Sequence, residues 1–154
     1  MARRLPVNVL VFPFRKNELD EYEFAILKRS DDPFWQAISG GVEEDEKPEV
    51  AASREAFEEA GIPRDRNVYR LTSHGKIPAH IFAASKEWGN RVYLVDEHHF
   101  AIDADGHEII LSFEHSEYQW LNFEEARDIL KFDSNKTALY ELHCRLINDD
   151  LELV

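Results

Sequence analysis

Seven residues between positions 40 and 61 combine two glycines, one arginine and four glutamates at fixed separations. In chain order they are Gly40, Glu46, Arg54, Glu55, Glu58, Glu59 and Gly61. If this stretch is helical, Glu55, Glu58 and Glu59 share one face, because they are three and four residues apart. Like charges at that spacing destabilise a bare helix, whereas Mg²⁺ takes carboxylate ligands together with waters and substrate phosphates. The pattern therefore predicts a divalent metal site that serves phosphate chemistry.

The residues around these glutamates predict a helix from Pro48 to about Ala60. Proline suits the first helical position, because its missing N–H would have no partner there in any case. Gly61 suits the residue just past the helix, where φ is often positive, and Pro63 prevents the helix from resuming. Small side chains would let this helix lie close against a sheet: Ala51, Ala52, Ala56 and Ala60.

A solvated acidic helix is the alternative interpretation of a short run of glutamates such as this one. The longer pattern favours the metal site, because it also places glycines and an arginine at set distances from the carboxylates. A bidentate pair from Arg54 to Glu46 or Glu58 would hold one of these carboxylates in place.

The stretch from Gly40 to Ile62 resembles a complete Nudix box, G-x(5)-E-x(7)-R-E-U-x-E-E-x-G-U, in which U is a bulky apolar residue. Ala56 fills one apolar position and is smaller than usual. The resemblance implies a Nudix hydrolase with an α/β fold: an α/β/α sandwich with a mixed β-sheet and a loop–helix–loop catalytic motif. It also implies Mg²⁺-dependent hydrolysis of a nucleoside diphosphate linked to another group, with Mn²⁺ able to substitute.

The same resemblance assigns roles by position. It implies these metal ligands: the carbonyl of Gly40 and the carboxylates of Glu55, Glu58 and Glu59. Arg54 is expected to orient a glutamate, while Glu46 and Gly61 support the helix. The general base varies within the family, and the resemblance leaves Glu55 and Glu59 as alternatives for that role.

Three further segments flank the box: residues 29–36, the motif Glu114-His115-x-x-Tyr118-x-Trp120-Leu121, and Ser134-Asn135 at the start of a terminal helix. Together with the box they resemble the dATP and dihydroneopterin triphosphate pyrophosphohydrolase branch over almost the whole chain. In that branch the glutamate matching Glu114 is a further metal ligand or base. From the residues alone Glu114 has little independent support, because its loop carries several acids.

Three residues before the box are candidates for substrate binding. Phe34 or Trp35 could stack on a base, which contributes roughly 1–3 kcal/mol, or could pack in the core. Arg29 could contact a phosphate through its planar guanidinium, or could pair with Asp31 or Asp32. The residues leave both pairs of alternatives open.

The length of 154 residues fits one domain spanning residues 1–154. A net charge of −13 opposes nucleic-acid binding, and it would repel a polyanionic substrate unless metal ions neutralised the site. No segment approaches the ~20 apolar residues that span a bilayer, so no membrane association is expected. The single cysteine, Cys144, excludes an internal disulfide and fits a cytoplasmic protein. The family resemblance adds a homodimer as an expectation.

Apolar patterning predicts strands at residues 5–14, 22–29, 68–77, 91–102 and 116–121, with a glycine turn after Ser39. Asn122 is predicted to cap a helix that ends near Leu130, and Ser134 to cap a last helix that ends near Asn148.

The metal-site pattern and the resemblance to this branch together imply a Mg²⁺-dependent pyrophosphohydrolase that converts a (deoxy)nucleoside or pterin triphosphate to a monophosphate and pyrophosphate. One alternative is a Nudix hydrolase of dinucleoside polyphosphates or nucleotide sugars. Another is a non-catalytic Nudix domain that senses a nucleotide, although every charged position of the box is filled. A plain acidic interaction module is a third, and it would show no dependence on Mg²⁺.

Overall fold

The computed structural model describes residues 2–154, which form eight β-strands and three α-helices. The strands are β1 (Arg4–Lys16), β2 (Tyr22–Arg29), β3 (Trp35–Gln36), β4 (Ile38–Glu43), β5 (Val68–Pro78), β6 (Leu94–Asp103), β7 (His115–Leu121) and β8 (Glu152–Leu153). The helices are α1 (Pro48–Ala60), α2 (Phe123–Ile129) and α3 (Asp133–Asn148). Within residues 2–154 no helix combines the length and apolar character that a bilayer crossing requires.

The strands form one mixed sheet around β1. This strand runs parallel to β6 and antiparallel to β2 and β4, and the main path of the sheet is β3-β2-β1-β6-β5-β8. The seventh strand, β7, pairs antiparallel with β2. Because β1 is covered on both faces, its residues from Asn8 to Phe14 are all buried.

Two cores lie on opposite faces of the sheet. Val9 and Val11 of β1 point into the first core, which they share with the four small alanines of α1. The intervening residues Leu10 and Phe12 point into the second core, with apolar side chains of α2 and α3. Helices therefore cover both faces, and the predicted α/β/α sandwich is confirmed.

The first helix has the bounds that its sequence predicts. It starts at Pro48, and Gly61 follows it with φ 68° in the left-handed region. The N–H groups of Gly61 and Ile62 donate to the carbonyls of Phe57 and Ala56, which satisfies two of the last carbonyls of the helix.

Two local predictions are wrong. Gly40 is not in a turn: it lies within β4 and pairs with Val9, because the long strand β1 has free hydrogen-bonding positions there. Ser134 does not cap α3, because Phe132 precedes the helix without a side-chain cap and Ser134 lies in its first turn. Asn122 does cap α2, through a reciprocal capping box with Glu125.

Glu141 of α3 connects that helix to an irregular part of β5. The register of β5 shifts between Arg70 and His74, and there Glu141 accepts the N–H groups of Thr72 (2.6 Å) and Ser73 (2.7 Å). Burial opposes ionisation of Glu141, but these hydrogen bonds and one from Arg145 outweigh it and lower its pKa to about 2. The ionised carboxylate thus satisfies amides that the neighbouring strand does not reach.

Residues 78–90, which have no clear sequence pattern, form short 3₁₀ turns at 79–81 and 83–87. Trp88 is buried in a small third core with Ala79 and Val95. Its indole N–H donates to the carbonyl of Arg4 at 2.8 Å, so this segment is attached to the start of β1.

Candidate active site

A cavity of about 830 Å³ brings together residues that are far apart in the chain. It is lined by all but one of the predicted metal-binding and substrate-binding residues: Arg29, Phe34, Gly40, Glu55, Glu58, Glu59 and Glu114. Trp35 is the exception, because it lies outside the cavity and packs against the second core. The prediction that Trp35 binds substrate is therefore replaced by its alternative, core packing.

Phe34 and Arg29 both reach the cavity, with different neighbours. The ring of Phe34 meets that of Phe132 edge to face, with centroids 5.1 Å apart. Arg29 donates two hydrogen bonds of 2.8 Å to Asp31, so the predicted ion pair forms while Arg29 also lines the cavity.

Arg54 is the hub of the box. It donates through Nε and Nη2 to the two oxygens of Glu46 at 2.8 and 2.9 Å, and through Nη2 to the carbonyl of Gly41 at 2.8 Å. Its Nη1 donates to Glu55 at 3.0 Å and to Glu58 at 3.3 Å. The hydrogen bonds to Glu46 raise the pKa of Arg54 and lower that of Glu46. This network attaches α1 to β4, the strand that carries Gly40 and Gly41.

Glu55 and Gly40 are in close contact. Glu55 is only 8 % exposed, and burial raises the pKa of its carboxyl group to about 7 against the opposing effect of Arg54. A Cβ atom at position 40 would lie 2.0 Å from the carboxyl carbon of Glu55. Position 40 must therefore be glycine for this carboxyl group to occupy its place beside β4.

Glu59 is held by the loop that precedes β7. Ser112 donates through Oγ to Oε2 of Glu59 at 2.9 Å, and Nδ1 of the 6 % exposed His115 lies 3.1 Å from the same oxygen. Burial would raise the pKa of Glu59, but these two neighbours outweigh it and lower the pKa. Glu55 and Glu59, four residues apart on α1, thus have pKa values shifted in opposite directions.

Main-chain hydrogen bonds fix the same loop along the end of α1. The N–H of Ile110 donates to the carbonyl of Ala60 at 2.8 Å, and that of Ser112 to the carbonyl of Glu59 at 3.3 Å. Beyond the loop, the N–H of Ser30 donates to the carbonyl of Glu114 at 2.9 Å. These bonds place Glu114 in the cavity, where burial and the nearby Glu59 raise its pKa.

The donor chemistry of the cavity fits a hard divalent cation. The four predicted carboxylate ligands and the Gly40 backbone line one space together with Asp32, Glu97 and Asp133. Burying carboxylates together is unfavourable unless a cation compensates them. In residues 2–154, however, no three acidic, histidine or cysteine side chains are gathered closely enough to enclose an ion. Arg54 accounts for part of this spacing, because it holds Glu55 and Glu58 in ion pairs.

Sequence reasoning missed a cation in the cavity wall, Arg4. Its guanidinium donates to Oδ1 of Asn8 at 2.9 Å and lies 4.6 Å above the ring of Phe82, while its Nε is buried without a partner. Two other cations line the cavity, and each has a carboxylate partner: Arg29 pairs with Asp31, and Lys76 with Asp96. Across residues 2–154 Arg4 forms no such ion pair. The available signal was an arginine four residues before an asparagine in an otherwise apolar strand.

Comparison with known proteins identifies the family. The NUDIX domain model matches residues 4–142. Dihydroneopterin triphosphate diphosphatase of Escherichia coli is 32 % identical over 139 residues, covering 87 % of this chain and 89 % of that protein. The enzyme of the same name from Haemophilus influenzae is 29 % identical over 135 residues, covering 86 % and 84 %.

A solved structure agrees in fold and sequence. A protein of Listeria monocytogenes assigned as a NUDIX hydrolase superimposes with a TM-score of 0.87 at 42 % identity, covering 97 % of this chain and 100 % of that one. The box geometry, the α/β/α sandwich and these matches lead to one conclusion. The chain belongs to the NUDIX domain family and is a hydrolase of phosphoric anhydride bonds.

Proposed function

We propose that this protein is a Mg²⁺-dependent pyrophosphohydrolase that cleaves a (deoxy)nucleoside or pterin triphosphate to a monophosphate and pyrophosphate. The observation that carries the proposal is that one cavity contains both the box carboxylates and the unpaired cation Arg4. The Escherichia coli and Haemophilus influenzae relatives are dihydroneopterin triphosphate diphosphatases, which supports a triphosphate substrate.

Five groups would hold the divalent cation: the carbonyl of Gly40 and the carboxylates of Glu55, Glu58, Glu59 and Glu114. When bound, it supplies Lewis-acid chemistry that neutralises charge on phosphate oxygens and lowers the pKa of a water. The cation requirement follows from charge, since a triphosphate would otherwise approach a cavity rich in carboxylates.

The protein's own cations orient the substrate. Arg4 is held by Asn8 and has donors left over, so it can bind a phosphate oxygen without first breaking an ion pair. Arg29 is a second contact at the cavity wall, although it must share its guanidinium with Asp31. Arg54 acts on the substrate indirectly, because it positions Glu55 and Glu58.

Glu55 is the better-placed general base of the two alternatives. Its Oε1 accepts from Arg54, whereas Oε2 has no donor in the described residues 2–154 and can take the proton of an attacking water. Among the same residues Glu59 also keeps one free oxygen, because Ser112 and His115 both face its Oε2. These neighbours lower its pKa, however, whereas burial raises the pKa of Glu55 to about 7 and makes Glu55 the stronger base near neutral pH. Water then attacks the α- or β-phosphorus, the bond from that phosphorus to the oxygen bridging the two breaks, and the leaving group, pyrophosphate or the monophosphate, departs with the electron pair.

The test is the activity of Glu55→Gln and Glu59→Gln on a panel of triphosphates with Mg²⁺, with pyrophosphate and phosphate release measured separately. Loss of a general base lowers kcat by about a hundredfold or more, so we expect that loss for Glu55→Gln. Glu49→Gln is the matched control, because Glu49 is on the same helix but outside the cavity. Near wild-type turnover in both folded variants, or no pyrophosphate release from any triphosphate, would refute the proposal.

A further inference from the structure

Three buried side-chain amides line the same cavity as the carboxylates, and one of them, Asn8, has partners at both ends of its amide in Arg4, Ser39 and Glu97. The other two are Gln36 of β3, which is 7 % exposed, and Asn135 in the first turn of α3, which is 4 % exposed. Neither belongs to the box, and the catalytic roles above use neither of them. Buried amides normally have hydrogen-bond partners, so any end of these two amides that lacks a partner needs an explanation.

One hydrogen bond fixes the orientation of the Asn135 amide. Its Oδ1 accepts the N–H of Ala37 at 2.9 Å, an arrangement that only the oxygen end of the amide can make. The Nδ2 group must therefore point elsewhere, and within residues 2–154 it has no hydrogen-bond partner. Toward a ligand, Asn135 consequently offers N–H donors.

The backbone of Gln36 lies between two residues that are bonded to the segment around the start of α3, and both ends of its side-chain amide are free in residues 2–154. The N–H of Lys131 donates to the carbonyl of Trp35 at 3.1 Å, so the main chain on either side of Gln36 is tied to the segment that leads into α3. No side-chain hydrogen bond of Gln36 occurs in the described part of the chain. Gln36 can therefore present either a donor or an acceptor to the cavity.

Apolar surfaces complete this part of the cavity. Phe34, Phe132 and Leu10 line it, and the rings of Phe34 and Phe132 pack edge to face. Because those two rings already touch, a planar ligand would stack on an outer face of one of them rather than insert between them. Aromatic faces of this kind accept any flat heterocycle, so selectivity must come from the amides.

We propose that Asn135 and Gln36 select a heterocycle with a lactam edge, that is, a ring carbonyl next to a ring N–H. The carbonyl accepts from Nδ2 of Asn135, and the ring N–H donates to Oε1 of Gln36. Heterocycles of this class include 6-oxopurines, 4-oxopteridines and uracil. An amidine edge, as in adenine or cytosine, sets an amino group against the fixed donor of Asn135 and leaves it unpaired. The inference rests on the proposed function, because that proposal supplies the triphosphate to which the heterocycle is attached.

The decisive comparison uses substrates that differ only at this edge. Deoxyinosine triphosphate is paired with dATP, and dUTP with dCTP, and kcat/KM is measured for each with Mg²⁺. A matched bidentate edge discriminates by about tenfold or more, so we expect the lactam member of each pair to be preferred by that factor. Calorimetric binding of deoxyinosine monophosphate and dAMP without metal separates base recognition from hydrolysis.

A conservative variant tests the amide directly. Asn135→Asp keeps the oxygen that accepts from Ala37 and replaces the donor by an acceptor, so we expect the lactam preference to fall about tenfold or to reverse. Gln36→Met, which keeps length without polarity, should also weaken the preference. The matched control is Asn17→Asp, which adds the same charge at the β1–β2 turn, where Oδ1 accepts two N–H groups that aspartate can still bind. Its preference should equal that of the wild type.

The outcomes are distinguishable. Equal kcat/KM within both wild-type pairs, or a wild-type preference in Asn135→Asp, overturns the lactam inference while the proposed hydrolysis stands. If no triphosphate is hydrolysed but deoxyinosine monophosphate still binds more tightly than dAMP, the proposed function fails and base selection by the two amides is supported.

Discussion

An alanine at position 40 tests how closely the box glycine and Glu55 must approach. The added Cβ would lie 2.0 Å from the carboxyl carbon of Glu55 and 2.3 and 2.4 Å from its oxygens. Since carbon atoms normally contact at about 3.5–4.0 Å, the carboxyl group must retreat by roughly 1.5 Å. A misplacement of about 1 Å at a reacting group lowers rates about a hundredfold. We therefore expect Gly40→Ala to lower kcat/KM for pyrophosphate release by about a hundredfold or more.

The same variant should stay folded, because the group that must move is the end of a side chain and not backbone. We expect its free energy of unfolding to fall by at most about 1–3 kcal/mol, measured by chemical denaturation. Gly75→Ala is the matched control: its Cβ would have no neighbour nearer than 3.7 Å, so near wild-type activity is expected. Gly40→Ala with wild-type kcat/KM, or an equal loss in Gly75→Ala, would refute the reasoning.

Three further predictions concern stability. Glu141→Gln should lower the free energy of unfolding by about 1.5–3 kcal/mol at neutral pH. Because the pKa of Glu141 falls from 4.5 to about 2 on folding, the stabilisation by its carboxylate is complete above about pH 5 and is lost as pH falls towards 2. Gly61→Ala should cost about 1–3 kcal/mol in denaturant unfolding, more than Gly106→Ala, because both have positive φ but only the Cβ at 61 meets a neighbour, Ile110, at 2.9 Å. Asn122→Ala should cost about 1 kcal/mol in the same assay through loss of the α2 capping box.

A specific result would contradict each of these three stability predictions. A gap between wild type and Glu141→Gln that stays constant from about pH 5 to pH 2 would mean that the strand amides do not depend on its charge. Equal losses of unfolding free energy in the two glycine variants would show that the contact with Ile110 does not explain the cost at position 61. An unchanged denaturation midpoint in Asn122→Ala would show that the capping box does not stabilise α2.

Much of the box could be predicted because its constraints are local. The bounds of α1 follow from Pro48 at its start and Gly61 at its end, and both act on hydrogen bonds within four residues. The common face of Glu55 and Glu59 follows from helical spacing alone. The strand predicted at residues 5–14 likewise follows from a local apolar run and corresponds to β1.

The neighbours of those residues could not be predicted in the same way. Trp35 and Phe34 are adjacent in the chain, yet one packs in the second core and the other lines the cavity, because successive side chains around a strand point to opposite faces. The contrast between Glu55 and Glu59 likewise depends on Arg54 for one and on a loop more than fifty residues later for the other.

Residue types at fixed short separations are enough to specify the family, the box helix and the acidic face that this helix presents. The placing of Arg4, Gln36 and Asn135 in the cavity with that face depends instead on tertiary packing. They come from two strands and the start of the last helix, and no local pattern specifies how such distant segments pack. Their place in the site is set by the register of the sheet and by single long-range hydrogen bonds, such as that from Ala37 to Asn135.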